Sequence, residues 1–71
     1  MKVNIGEVWT HYKAGGEYEI VEMGKLQVKN ELDMAECVIY KNRVDQAVWV
    51  RPMVDFLEEV APGVMRFKKL E

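Results

Sequence analysis

EVWTHYKAGGEYEIV, residues Glu7 to Val21, is the stretch on which the fold turns. Two short runs rich in β-branched and aromatic residues, Glu7 to Tyr12 and Glu17 to Val21, flank the pair Gly15-Gly16. A glycine pair between such runs supplies positive φ at no steric cost, so the stretch reads as strand, turn, strand. Side chains alternate along a strand, which puts Val8, Thr10 and Tyr12 on one face and Trp9, His11 and Lys13 on the other. The first set is assigned to the core and the second to solvent. In the second run Tyr18 and Ile20 point inward while Glu17 and Glu19 stay in water, and Gly24 marks a candidate bulge.

Working outward from this hairpin, residues 24–36 read as a variable loop, with a short strand at Lys25 to Val28 and a turn capped by Asn30 as its local features. Cys37 to Tyr40 and Ala47 to Arg51 are strand-like and are joined by the polar segment Lys41 to Gln46, which makes a second hairpin. Pro52 has no amide hydrogen for a ladder and suits the first turn of a helix. Met53, Phe56, Leu57 and Val60 then follow at helical spacing, so a helix over Pro52 to Val60 is expected to lay one apolar face on the core. Pro62-Gly63 is a turn, and Val64 to Leu70 reads as a closing strand with Met65 and Phe67 inward.

These elements predict a mainly β protein, a small SH3-like barrel of about five antiparallel strands with one short helix, because closing a sheet removes exposed edges. The competing arrangement is an open antiparallel sheet with the helix lying across one face, and periodicity does not separate the two. The 71 residues form one domain over 1–71. A chain of this size buries only about 60% of its surface on folding, so the core is thin. The hydrophobic fraction of 49% against 31% charged residues argues for a folded chain rather than a disordered one.

Composition also narrows the function classes. No apolar run approaches the roughly 20 residues of a membrane span. The start MKVNIGEVWTHY lacks the features of a secretory signal, so a cytoplasmic location is expected. The single Cys37 cannot form an internal disulfide, and one Cys with one His leaves no zinc ligand set, so no metal is predicted. No cofactor is predicted either: Gly15-Gly16 lacks the following helix and the Lys-Ser/Thr of a phosphate loop. A net charge of −2 removes the global attraction to nucleic acid, although Arg43, Arg51, Arg66, Lys68 and Lys69 all fall in the later half.

The segment His11-Tyr12-Lys13 with its glycine turn, Tyr40 at the end of a strand, Trp49-Val50-Arg51-Pro52 and Arg66-Phe67 together resemble the pattern of a family of short bacterial proteins of unknown function. Its members carry His-Tyr-Lys-Gly, a Val-Tyr strand, Trp-Val-Arg-Pro and Arg-Phe in this order. The resemblance spans about Gly6 to Phe67 and implies a small SH3-like β fold with no named activity. The chain departs from that pattern in the extra Ala14, a slightly short connection from Tyr40 to Trp49, and Asp55 in place of an apolar residue.

Read physically, His11, Lys13, Trp49 and Arg51, joined by Tyr40 and Trp9, are the candidate ligand-binding set. A flat aromatic beside a planar cation and an imidazole suits an anionic or planar ligand through stacking and charge-assisted hydrogen bonds. The bland reading gives Trp49 a packing role and pairs Arg51 with Glu19 or Asp55. A non-catalytic binding module taking a protein segment or a small anionic ligand is therefore the leading expectation. Nucleic-acid binding through the basic later strands ranks second, and a small enzyme centred on His11 ranks last. No catalytic set is assigned, since Cys37 lies in an apolar run that disfavours the thiolate and no carboxylate pair is committed to one cleft. Self-association remains open, because a thin core with exposed edges is often completed by a second copy.

Overall fold

The computed structural model of the chain describes residues 2–70. Its main sheet is built from Val8–His11 (β1), Gly15–Lys25 (β2), Glu36–Asn42 (β3), Val48–Pro52 (β4) and, after a helical turn and a small hairpin, Phe67–Lys69 (β7). The intervening elements are Met53–Phe56 (α1), Glu59–Ala61 (β5) and Val64–Met65 (β6). The five strands of the main sheet run in the order β4-β3-β2-β1-β7, all antiparallel, and β5 pairs with β6 in a separate two-stranded sheet. The molecule is 34 × 30 × 19 Å, the thin dimension being that of one sheet with a single covering layer.

The mainly β class, the five-stranded antiparallel sheet and the one short helix agree with the sequence reading. The barrel does not close: β4 and β7 stand at opposite ends of the sheet and no pairing joins them among the described residues. The open-sheet alternative is the one adopted, with α1 laid over the inner face. The helix is a single turn rather than a run to Val60. Leu57 caps it at φ −92°, ψ 8°, and Val60 lies in β5, because the chain turns back there to pair with β6. Met53, Phe56 and Leu57 still pack inward as their spacing predicts. The expected closing strand likewise splits at Arg66, whose amide donates to the Glu58 carbonyl, so that β6 serves the small hairpin and β7 the sheet.

Local chemistry explains both hairpins of the main sheet. Gly15 and Gly16 hold φ of 68° and 72°, the left-handed region that a side chain would strain. In the second hairpin Asn42 Oδ1 accepts from the amides of Val44 and Asp45 at 2.7 and 3.2 Å, and Asp45 Oδ1 accepts from Ala47 at 2.8 Å. Side chains thus replace the ladder while the backbone reverses. In residues 24–36, Gly24 and Lys25 continue β2 opposite Cys37 and Glu36, and the bulge expected at Gly24 falls instead between Ile20 and Glu22. Lys25 ends the strand, and the expected Asn30 cap is present, its Oδ1 accepting from Leu32 at 2.8 Å.

The core is a stack of rings. Trp9, Ile20, Val38, Tyr40, Phe56 and Phe67 are all buried, with Val3 beside them. Phe56 from α1 lies face to face on Phe67 with centroids 4.1 Å apart and 8° between planes, and meets Trp9 and Tyr40 edge-on at 5.3 and 5.4 Å. Burying a ring of this size contributes about 1.5–3 kcal/mol, so one helical residue anchors the whole covering layer. The facing of β1 is the reverse of the expectation. Trp9 is 1% exposed and Tyr12 51% exposed. Trp9 stands opposite Tyr18 on β2, and residues directly opposite share a face, so the inward Tyr18 takes Trp9 with it. Trp9 is thereby a core residue and not part of any surface site.

Candidate functional site

Where the cover of α1 ends, the inner face opens into a depression of roughly 240 Å³ between the β1–β2 turn and β4. His11 and Ala14 line it from the turn, Tyr18, Tyr40 and Phe67 from the sheet, and Trp49 and Arg51 from β4. Strand pairing sets this geometry. Tyr40 stands opposite Trp49 and Val38 opposite Arg51, so both β4 side chains emerge on the face that carries the core. Tyr18 meets Tyr40 at 5.6 Å and Phe67 at 5.9 Å, both edge-on, so the floor of the depression is the rim of the aromatic core.

Of the residues predicted from sequence, His11, Tyr40, Trp49 and Arg51 are brought together here. Lys13 is not: its side chain is exposed and does not line the depression, and its contribution is a backbone amide. Tyr18, Phe67 and Ala14 complete the lining and were missed as site residues. Tyr18 and Phe67 face inward as their strands predict, but alternation says nothing of where the cover over that face stops.

Arg51 is held without a carboxylate. Its Nε donates to the Tyr40 hydroxyl at 3.2 Å, and its guanidinium lies over the Phe67 ring, 5.9 Å from the centroid. The pairing with Glu19 or Asp55 does not form: the described ion pairs are Arg43–Glu17, Arg66–Glu58 and Lys69–Glu7. The terminal guanidinium nitrogens have no hydrogen-bond partner among the described residues. Trp49, by contrast, is 54% exposed, its indole standing at the rim as an open stacking surface.

His11 Nδ1 accepts from the backbone amides of Lys13 at 3.1 Å and Ala14 at 3.0 Å, so the ring folds the turn around itself. Two donors on Nδ1 require its lone pair, which places the imidazole proton on Nε2. Burial lowers the pKa of His11, and the positive charges of Arg51, Arg66 and Lys13 lower it further. The imidazole is therefore neutral and offers an N–H donor. Because an unfolded His takes up its proton near pH 6.5 and the folded one resists, this contribution to stability is complete above about pH 6.5 and is lost as the pH falls below it.

The ring of Tyr12 tilts against His11 at 5.0 Å and Phe67 meets it edge-on at the same distance, which fixes the imidazole from both sides. Cys37 is buried on β3 opposite Gly24 and Pro52 and does not line the depression. No group of three His, Cys, Asp or Glu side chains is placed to hold a metal among the described residues, and no helix among them is long and apolar enough to cross a membrane.

Comparison with known proteins identifies the family and no activity. Residues 7–69 match the family described as "Protein of unknown function (DUF1653)", and the chain belongs to that family. No curated protein and no solved structure matches the chain.

Proposed function

We propose that this member of a family of unknown function is a non-catalytic binding module, and that the depression between the β1–β2 turn and β4 receives an anionic group carried on a planar or apolar body. The ligand is a small anion of that kind or an acidic segment of a protein. The observation that carries the reading is the state of Arg51: oriented by a neutral hydroxyl and a ring, at the edge of an aromatic floor, with its outer nitrogens unpartnered. A guanidinium so placed offers a bidentate fork to a carboxylate or phosphate, and its orientation has already been fixed before the ligand arrives. Trp49 supplies the stacking face, and a neutral His11 adds a donor without the cost of a second buried charge.

Two alternatives draw less support. For nucleic acid, Arg43, Arg66 and Lys69 each have a carboxylate partner, so the later strands do not present a row of free cations. For an enzyme centred on His11, the lone pair a general base needs is engaged by the Lys13 and Ala14 amides. The test is a titration of labelled protein with benzoate, phenyl phosphate, inorganic phosphate and neutral benzamide, followed by NMR. The expected result is saturable shifts at the Trp49 indole N–H and the Arg51 Nε–H with the two aromatic anions, weaker ones with phosphate, none with benzamide, and loss of all of them in Arg51→Ala. Absence of shifts at those two groups with every probe would overturn the proposal, as would shifts that survive Arg51→Ala.

A further inference from the structure

We propose that His11 is a pH-operated latch on the β1–β2 turn, in which one proton taken up at its Nδ1 releases the Lys13 and Ala14 amides, opens the turn and removes one wall of the depression. Only the value of that wall, as part of a binding site, rests on the preceding reading. The two hairpins of the main sheet are closed by one device in two chemistries. In the second, Asn42 Oδ1 accepts from the amides two and three residues ahead, those of Val44 and Asp45. In the first, His11 Nδ1 accepts from the amides two and three residues ahead, Lys13 at 3.1 Å and Ala14 at 3.0 Å. The Asn42 oxygen does not titrate, but the His11 lone pair is where an imidazole takes its second proton. An imidazolium has two N–H donors and no acceptor, so the charged ring would turn a donor towards two donors.

The two amides have no second acceptor. Neither Lys13 nor Ala14 donates to a backbone carbonyl among the described residues, and the tie left to this segment is the Tyr12 amide on the Arg66 carbonyl at 2.9 Å. Tyr12, Lys13 and Ala14 are exposed, so the segment can lift without uncovering the core. The surroundings also give the proton no counter-charge. Arg51 faces the ring from β4, Arg66 from the link between β6 and β7, and Lys13 from the turn itself, while Lys68 of β7 lines the hollow on the ring's other side. The phenols of Tyr12, Tyr18 and Tyr40 are the other titratable groups beside it. No carboxylate lines either hollow that His11 borders, so charging the ring drives it towards water rather than into a new pair. Burial, with the charges of Arg51, Arg66 and Lys13, holds its pKa below the ordinary 6.5, so the latch is shut at neutral pH and releases at a pH below that value.

Release takes His11 and Ala14 from the depression, the two residues that line it from the turn, and leaves the Trp49 and Arg51 side in place on β4. The site is therefore complete only while His11 is neutral. A ligand that needs the assembled site meets only the neutral fraction of the protein, which one pH unit below the midpoint is about one part in eleven, so its affinity falls about tenfold there.

The deciding measurement is an NMR titration of the protein without ligand from about pH 8 to about pH 5, stopping above the ordinary carboxylate range. The His11 ring nitrogens should report the Nε2–H tautomer at the alkaline end and the imidazolium at the acid end. The Lys13 and Ala14 amides should move with the same midpoint, while those of Val44 and Asp45 on the Asn42 oxygen, and of Val38 in the core, stay in place. His11→Asn sets an amide oxygen where Nδ1 stood, so it should hold Lys13 and Ala14 still over the whole interval. Should that variant not fold, the contrast between the two hairpins in wild type still decides. Benzenesulfonate, an aromatic anion of constant charge over this interval, should bind about tenfold more weakly one unit below the midpoint than well above it. The amide titration needs no ligand, so it decides the latch even where the probe fails to bind at neutral pH, a result that counts against the preceding reading alone. The latch is overturned by a ring that charges while both amides stay in place, or by the Val38 amide moving with them, which would be unfolding of the whole chain. The same movement in His11→Asn overturns it too, as does a benzenesulfonate affinity that holds or rises through the midpoint.

Discussion

The two edges of the sheet are made of similar material and put to opposite use. At one end, Phe67-Lys68-Lys69 of β7 spans three residues, buries its ring at 2% exposure and ties Lys69 to the Glu7 carboxylate at 3.2 Å. At the other, Val48-Trp49-Val50-Arg51 of β4 also alternates an aromatic with a cation on the inner face, yet Trp49 stays exposed and Arg51 unpaired. What differs is the cover. Phe56 lies flat on Phe67, whereas no ring packs on Trp49 among the described residues. α1 packs against β3 and β4 from the Pro52 end and sends the Phe56 ring onto Phe67, so the Trp49 end of β4 stays uncovered and keeps the depression.

The sharpest way to break this contrast is to remove the ring that the covered edge depends on. Phe67→Ala deletes a fully buried side chain that contacts Phe56, Tyr40, Tyr18 and His11, and such truncations cost about 3–5 kcal/mol. In a thin core that is much of the total stability, so chemical denaturation should show a protein largely unfolded or close to it. A loss below about 1 kcal/mol would mean that the covered edge is not what holds the layer down.

A smaller effect should come from the charge that fastens the same edge. Glu7 accepts from the Asn4 amide at 2.9 Å and the Asn4 side chain at 3.1 Å, and from Trp9 Nε1 and Lys69 Nζ at 3.2 Å each. The backbone bond from Asn4 is the largest influence on its pKa; burial opposes it, and the Asn4, Lys69 and Trp9 side chains add to it, bringing the carboxyl from 4.5 to about 2. Glu7→Gln should cost about 1–2 kcal/mol at neutral pH, the range for charge-assisted hydrogen bonds at a half-buried site. The folded pKa is the lower one, so the stabilisation is complete above about pH 4.5 and is lost as the pH falls towards 2. Urea melts of wild type and variant should converge over that interval; a gap that stays constant would place the effect in packing rather than charge.

How much of this could be read from sequence depends on whether the signal is local. The Asn42 to Asp45 turn, Pro52 and Pro62-Gly63 each mark a reversal or stop through their own backbone chemistry, and each is where the sequence puts it, whereas the first reversal falls on Tyr12 to Ala14 and the expected turn glycines, Gly15 and Gly16, open β2 with positive φ. Alternation found two faces on β1 but not which one is buried, since that is decided by the partner opposite Trp9. The bulges between Thr10 and His11 and between Ile20 and Glu22 shift the register with no glycine to announce them at the second. Closure failed for the same reason: whether β4 meets β7 is a property of sheet twist and of what fills the gap, which no single segment encodes. The candidate site was legible in part as a set of residue types: strand parity puts Trp49 with Arg51 on one face and His11 with Trp9 on another, while Tyr40 entered by its type and the His11 face proved to be the buried one. Its floor was not, because Tyr18 and Phe67 look like any other core aromatics until the end of the helix is known.

The smallest expected effect is the one that sharpens the comparison most. Trp49→Ala, on the same face as Phe67 and at the opposite edge, should change stability by no more than about 0.5 kcal/mol, since an exposed side chain with no ring against it has little burial to lose. The two tryptophans make this measurable in one sample. Trp9 is 1% exposed and Trp49 54% exposed, so iodide at low protein concentration should quench one fraction of the fluorescence and spare the other. Trp49→Ala should remove the quenchable fraction while leaving the melt in place. If the indole were instead packed over the depression, the variant would lose about 1 kcal/mol or more of stability. Equal quenching of both fractions in wild type would say the same thing by another route: that the cover does not stop where α1 ends, and that the edge carrying Arg51 is no more open than the one carrying Phe67.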